Sequence, residues 1–112
     1  MVEQVRPTDL AAWLQSHGGV RPTVLDVREP GELRTAAIRA DGFELVTIPM
    51  MEVPARLAEL DASQPVAVLC HHGARSQRVA MFLAGNGFER VANIAGGIDA
   101  WSQQVDPAVP RY

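Results

Sequence analysis

A candidate nucleophile lies where an apolar run ends and a helical pattern begins. Cys70, the only cysteine among 112 residues, follows the β-branched run Val66–Leu69, and a helical pattern covers residues 76–85. A strand, a short loop and a helix start would direct backbone N–H groups and the positive helix dipole toward the sulfur. Such surroundings favour a thiolate. The predicted chemistry is attack by this sulfur on an anionic substrate.

The spacing within the loop distinguishes sulfur transfer from phosphoryl transfer. Arg75 lies five positions after Cys70 and precedes Ser76, which gives C-x4-R-S. Protein tyrosine phosphatases and related arsenate reductases use C-x5-R, and the additional residue enlarges the ring of N–H donors to hold a tetrahedral phosphate. The shorter loop suits a single outer sulfur atom on the cysteine. Sulfur transfer is therefore favoured, and a small phosphatase or arsenate reductase is the disfavoured alternative.

Charged and hydroxyl side chains beside the cysteine have two interpretations each. A cation at a helix start is unfavourable, so Arg75 is held either by a substrate anion or by an internal carboxylate, and a carboxylate such as Asp26 or Glu29 is favoured. Ser76 either caps the helix or donates a hydrogen bond to the thiolate, and both roles are compatible. Asp26 and Arg28 form a structural ion pair at a strand end, or they line the pocket.

Two histidines follow the cysteine directly. Together with Cys70 they suggest a metal site, but adjacent side chains seldom converge on one ion and no further ligand spacing occurs. We predict that one of His71 and His72 lies at the pocket mouth and attracts anions, while the other faces solvent or packs. A Cys–His hydrolase is disfavoured because a neighbouring base rarely reaches the thiol and His17 lies far along the chain.

Alternating short apolar and longer amphipathic runs predict βα repeats on a mostly parallel sheet. The predicted strands are 2–5, 23–27, 44–48, 66–69 and 91–94, and the predicted helices are 7–16, 32–38, 51–60, 76–85 and 97–104. Gly18–Gly19 is predicted to stop the first helix, and residues 105–112 form an irregular tail over the surface. Because ligands bind at the carboxyl ends of parallel strands, we expect Asp26, Arg28 and Cys70 to share a pocket.

Composition excludes several classes of protein. The net charge of −3 and the scattered basic residues argue against a nucleic-acid partner, and no apolar run is long enough for a membrane span. The length predicts one domain over residues 1–112, with a core of about 5–104. One cysteine allows no internal disulfide, and the first residues lack a signal-peptide pattern, so we expect a cytoplasmic protein.

Three motifs in the same order resemble those of single-domain rhodaneses, the thiosulfate sulfurtransferase type. The loop 70–76 is similar to C-x-x-G-x-R-S. Residues 25–30, Leu-Asp-Val-Arg-Glu-Pro followed by Glu32, resemble the early D-V-R-E signature. Residues 95–101 resemble G-G-x-x-x-W. The resemblance extends over about 5–104, with one departure, since residues 36–39 read Ala-Ala-Ile-Arg where the family usually has Gly-His-Ile.

The resemblance implies a rhodanese-like α/β fold with a central, mostly parallel sheet flanked by helices. It implies that Cys70 takes the outer sulfur of a small anionic donor as a persulfide and passes it to an external thiol, cyanide or a protein cysteine. Asp26 and Arg28 would support the site, with no metal and no cofactor. The implied binding residues are His71, His72, Gly73, Ala74, Arg75 and Ser76. The alternative from another class is a catalytically idle rhodanese-like module that binds or regulates a partner.

Overall fold

The computed structural model describes residues 2–16 and 21–112. Its strands are β1 (Val2–Val5), β2 (Thr23–Asp26), β3 (Glu44–Thr47), β4 (Val66–Leu69) and β5 (Val91–Ile94). Its helices are α1 (Leu10–Ser16), α2 (Pro30–Thr35), α3 (Ala74–Ala84) and α4 (Gly97–Gln104). Short 3₁₀ turns cover Pro7–Asp9, Met50–Glu52 and Leu57–Glu59. The predicted helix stop at Gly18–Gly19, like His17, lies outside the described residues.

The five strands form one parallel sheet in the order β1-β5-β4-β2-β3. This confirms the predicted α/β class with a parallel sheet flanked by helices. In the register of the two central neighbours, Asp26 at the end of β2 lies opposite Leu69 at the end of β4. The N–H of Val27 donates to the Leu69 carbonyl at 2.9 Å. Cys70 and the polar residues after β2 therefore leave the sheet side by side.

Both faces of the sheet are buried, which explains why the central strands are continuously apolar. Alternate residues of β4 point to opposite faces: Ala67 and Leu69 pack with α1 and α4, whereas Val66 and Val68 pack with α3. Trp13 and Trp101 are buried on the first of these faces. A rigid sheet packed on both sides thus carries the loop after β4.

Four predicted helices differ from the observed structure. Residues 7–9 of the first form a 3₁₀ turn before α1, and α3 covers Ala74–Ala84 rather than 76–85. The second helix begins at Pro30 rather than Glu32, because Pro occupies the first helical position favourably, and Ala36 is already extended at φ −155°. The predicted helix 51–60 is replaced by two 3₁₀ turns with irregular turns between them. Pro54 explains the interruption, since it lacks the N–H that an interior helical position needs.

The segment 105–112 contains no helix or strand, as predicted, but it packs more closely than a surface coil would. Val109 is buried, and the Ser102 hydroxyl donates to its carbonyl at 2.6 Å. Among the described residues, no helix has the length and apolar character that a membrane crossing needs.

Candidate active site

The cysteine lies in a loop whose donors point at its sulfur. Cys70 is 1% exposed and follows β4 directly. The Gly73 N–H donates to Cys70 Sγ at 3.0 Å, and Ser76 Oγ lies 3.2 Å from the same sulfur. Gly73 adopts φ +108° at the N-cap of α3, a conformation that favours glycine. The free N–H groups of the first turn of α3 add to this electropositive setting.

The start of α4 closes the loop from behind. The N–H groups of Ile98 and Asp99 donate to the carbonyls of Cys70 and His71 at 2.8 and 3.1 Å. Gly97 has φ +60°, and a Cβ there would lie 2.4 Å from the Cys70 carbonyl oxygen. The glycine at the start of α4 therefore serves backbone geometry, and it allows the helix to pack on the loop.

Asn93 is a buried member of the site that the sequence analysis missed. Its Nδ2 donates to the Gly73 carbonyl at 3.2 Å and to Gln4 Oε1 at 2.9 Å. These two acceptors orient the amide so that Oδ1 lies 2.5 Å from Ser76 Oγ, and the single hydroxyl proton of Ser76 can be donated either to Oδ1 or to Cys70 Sγ. The sequence marks Asn93 only as a polar residue near the end of an otherwise apolar strand, β5, which is fully buried in the fold. Asn93 fixes both groups that donate to Cys70.

Arg75 is held by a carboxylate, but the predicted partners are wrong. Glu32 of α2, rather than Asp26 or Glu29, accepts two hydrogen bonds from its guanidinium, at 2.6 and 2.8 Å. The bond from Arg75 lowers the pKa of Glu32 to about 2, against a usual value of 4.5, despite partial burial. The same bond is the largest cause raising the pKa of Arg75, and the charge of the Cys70 sulfur contributes.

Asp26 is unavailable to Arg75 because Arg28 occupies it. The Arg28 guanidinium donates to Asp26 Oδ2 at 2.7 Å, and the side chains are 0% and 2% exposed. Burial lowers the pKa of Arg28, but hydrogen bonds with Asp26 and Tyr112 outweigh it, so the pKa lies above its ordinary value. Arg28 also donates to the Ala36 carbonyl at 2.8 Å. Both residues therefore lie beside the loop as a buried ion pair.

The two histidines and a distant tyrosine form a stack over the loop. The His71 ring lies 3.8 Å from the His72 ring and 3.8 Å from the Tyr112 ring. His72 is exposed, whereas His71 is half-buried and stacks between His72 and Tyr112. Attraction of anions by one of them at the pocket mouth stays a prediction. Tyr112 was not predicted as a site residue, and no local pattern marks it. It comes to the loop only through the fold.

The geometry is that of a buried thiol with hydrogen-bond donors beside its sulfur. Within residues 2–16 and 21–112, no group of three His, Cys, Asp or Glu side chains could hold a metal ion. The sulfur instead has a backbone donor, a hydroxyl donor and a nearby guanidinium. The fold and the site together define an α/β domain whose cysteine loop lies between the central parallel strand β4 and the start of α3, with the start of α4 behind it.

Comparison with known proteins identifies the family. Residues 6–104 match the family described as "Rhodanese-like domain". The chain belongs to this family, which confirms the resemblance seen in the three motifs.

Relatives and solved structures agree with this assignment. A thiosulfate sulfurtransferase GlpE of Vibrio cholerae is 36% identical over 78 residues, covering 70% of each chain. A rhodanese-like/PpiC domain-containing protein 12 of Arabidopsis thaliana, chloroplastic, is 38% identical over 91 residues. That match covers 80% of this chain and 30% of the Arabidopsis protein's length. A rhodanese-related protein of Thermoplasma volcanium has a TM-score of 0.77 at 30% identity, with 98% and 99% of the chains covered.

Proposed function

We propose that this domain is a sulfurtransferase that carries a sulfane sulfur on Cys70. The observation that carries the proposal is the pair of donors, Gly73 N–H and Ser76 Oγ, at 3.0 and 3.2 Å from Cys70 Sγ. Because the fold holds both donors in place before any reaction, they can stabilise negative charge on sulfur without rearranging. The family and the printed name of the Vibrio relative support the same chemistry.

In the first step, the Cys70 thiolate attacks the outer sulfur of a donor such as thiosulfate. A new S–S bond forms as the old S–S bond breaks, and sulfite leaves with the electron pair, so the total charge of −3 is the same on both sides. The product is the Cys70 persulfide anion. Its outer sulfur would lie among the N–H groups of the loop, where a developing negative charge is favoured.

In the second step, an external nucleophile takes the outer sulfur. Cyanide would leave as thiocyanate, a thiol would become a persulfide, and the Cys70 thiolate would be regenerated in each case. Because Cys70 is the only cysteine in the sequence, the chain has no second thiol to form a disulfide with it. The acceptor must therefore be external, such as cyanide, a small thiol or a protein cysteine.

Intact-protein mass spectrometry after brief incubation with thiosulfate tests this proposal. We expect the wild type to gain the mass of one sulfur atom and to lose it on addition of cyanide. Cys70→Ser is the matched control, since it removes the nucleophile with a minimal change of shape, and it should gain nothing. An unmodified wild type with both thiosulfate and protein persulfides would contradict the proposal and favour the idle binding module. Turnover of an aryl phosphate, abolished by Cys70→Ser, would favour the phosphatase instead.

A further inference from the structure

We propose that Tyr112 forms one wall of the mouth above Cys70 and selects sulfur acceptors by size. Small anions and small thiols would pass the ring, whereas bulky thiols would have to displace it. The inference rests on the sulfurtransfer proposed above and concerns its second step. Its basis is the position of Tyr112, which contacts groups on both sides of the cysteine loop.

The segment that carries Tyr112 is fixed at several points before it reaches the loop. The buried Val109 accepts a hydrogen bond from Ser102 Oγ at 2.6 Å. The Arg111 guanidinium then pairs with Asp99 at 2.9 Å, and this bond is the largest cause lowering the pKa of Asp99. Ser102 and Asp99, which hold this segment, both belong to α4, the helix that closes the loop from behind. The position of Tyr112 is thus tied to the same helix as the loop.

The tyrosine ring and its hydroxyl bind different parts of the site. The ring is nearly parallel to that of His71, at 6° between planes and 3.8 Å between centroids. The hydroxyl donates to Glu32 Oε2 at 2.7 Å and accepts from Arg28 Nη1 at 3.1 Å. Burial is the largest cause raising the pKa of Tyr112, so the hydroxyl stays protonated and can donate at neutral pH.

These contacts place the ring between two borders of the loop. His71 is the first residue after the nucleophile, and Glu32 is the carboxylate that holds Arg75 five positions after it. Cys70 itself is 1% exposed, so access to the sulfur depends on the groups that cover it, and a larger reagent requires a larger displacement of them. Displacing Tyr112 breaks one aromatic stack and two hydrogen bonds, so the displacement is unfavourable.

Size matters most in the acceptor step. A thiol RSH reacts with the Cys70 persulfide anion to give RSSH and the Cys70 thiolate; one S–S bond forms, one breaks, and the negative charge stays on the protein. The attacking sulfur must approach in line with the S–S bond, so the substituent R lies in the mouth of the site. A wall beside His71 therefore discriminates between substituents without touching the reacting atoms.

Alkylation of Cys70 tests the wall without requiring sulfur transfer. Iodoacetamide and a fluorescein-linked iodoacetamide carry the same reactive group on substituents of very different size. In Tyr112→Ala, the ratio of the large to the small reagent's rate should rise about tenfold, which corresponds to about 1.4 kcal/mol. Tyr112→Phe keeps the ring but loses the hydroxyl bonds, and it should give a smaller rise of about threefold, or about 0.7 kcal/mol. Phe82→Ala, which removes an exposed ring from α3, is the control and should match the wild type.

A large-to-small rate ratio in Tyr112→Ala within about twofold of wild type would overturn the proposal. A loop that is only loosened accelerates both reagents equally and leaves this ratio unchanged. With persulfide-loaded protein, the rate with glutathione relative to cyanide should rise in the same variant. If the alkylation ratio rises in Tyr112→Ala but the glutathione-to-cyanide rate ratio does not, Tyr112 limits access to Cys70 without selecting acceptors, and that part of the proposal is overturned. If no persulfide forms at all, the alkylation ratio still reports on the wall, so the two failures are distinguishable.

Discussion

Replacing Glu32 by Gln should destabilise the fold by a pH-dependent amount. The variant keeps the shape and the acceptor oxygen of the side chain but removes the charge that binds Arg75 at 2.6 and 2.8 Å. A fall in pKa from 4.5 to about 2 corresponds to about 3 kcal/mol. Solvent reaches 20% of the Glu32 side chain and 32% of the Arg75 side chain, so screening reduces this to about 1–2 kcal/mol.

The direction with pH follows from the lowered pKa. A carboxylate with a depressed pKa in the folded state contributes its full stabilisation above 4.5 and loses it as the pH falls toward about 2. The difference in unfolding free energy between wild type and Glu32→Gln should therefore be largest at pH 7. By about pH 3 it should have shrunk by more than half.

Urea unfolding followed by tryptophan fluorescence measures this difference, since Trp13 and Trp101 are both buried in the native state. Glu89→Gln is the matched control, because it makes the same change of charge at an exposed position and should stay within about 0.5 kcal/mol of wild type. An equal loss of unfolding free energy in Glu32→Gln at pH 7 and at pH 3 would refute the reasoning. A loss no larger than that of Glu89→Gln would refute it too.

Three further substitutions test the structural basis of the site. Asp26→Asn leaves Arg28 buried without its counter-charge and should lower the free energy of unfolding in urea by about 3–5 kcal/mol. Asp41→Asn, at an exposed position, should lower it little, and equal losses in the two variants would contradict the role of the buried pair. Gly97→Ala puts a Cβ against the Cys70 carbonyl and should cost at least about 2 kcal/mol more than Gly42→Ala, which shares a positive φ but has open space. Ser76→Ala removes a donor to Cys70 Sγ and should slow thiocyanate formation about tenfold, while Ser63→Ala at an exposed position serves as reference; matching rates in the two would remove Ser76 from the reaction.

Local sequence was sufficient for the five strands and for most of the helices, and it marked Cys70 as the candidate nucleophile. Apolar runs bounded by turn residues marked the strands, most clearly the inner strands β2, β4 and β5, which are buried along their whole length and are therefore mostly apolar. The loop after Leu69 could be recognised from the sequence because the spacing that defines it lies within the seven consecutive residues 70–76. The helix expected over 51–60 was wrong for a reason also present in the sequence, since Pro54 interrupts it.

The partners of the site residues could be assigned only from the tertiary structure. Arg75 binds a carboxylate 43 positions away, and Arg28 meets Tyr112 across 84 positions. The sequence offers Arg75 several carboxylates as partners. In the fold, Asp26 pairs with Arg28, and Arg75 pairs with Glu32. Spacing can show that a cation needs a partner, but only the packing of α2 and residues 105–112 against the loop decides which atoms come within bonding distance.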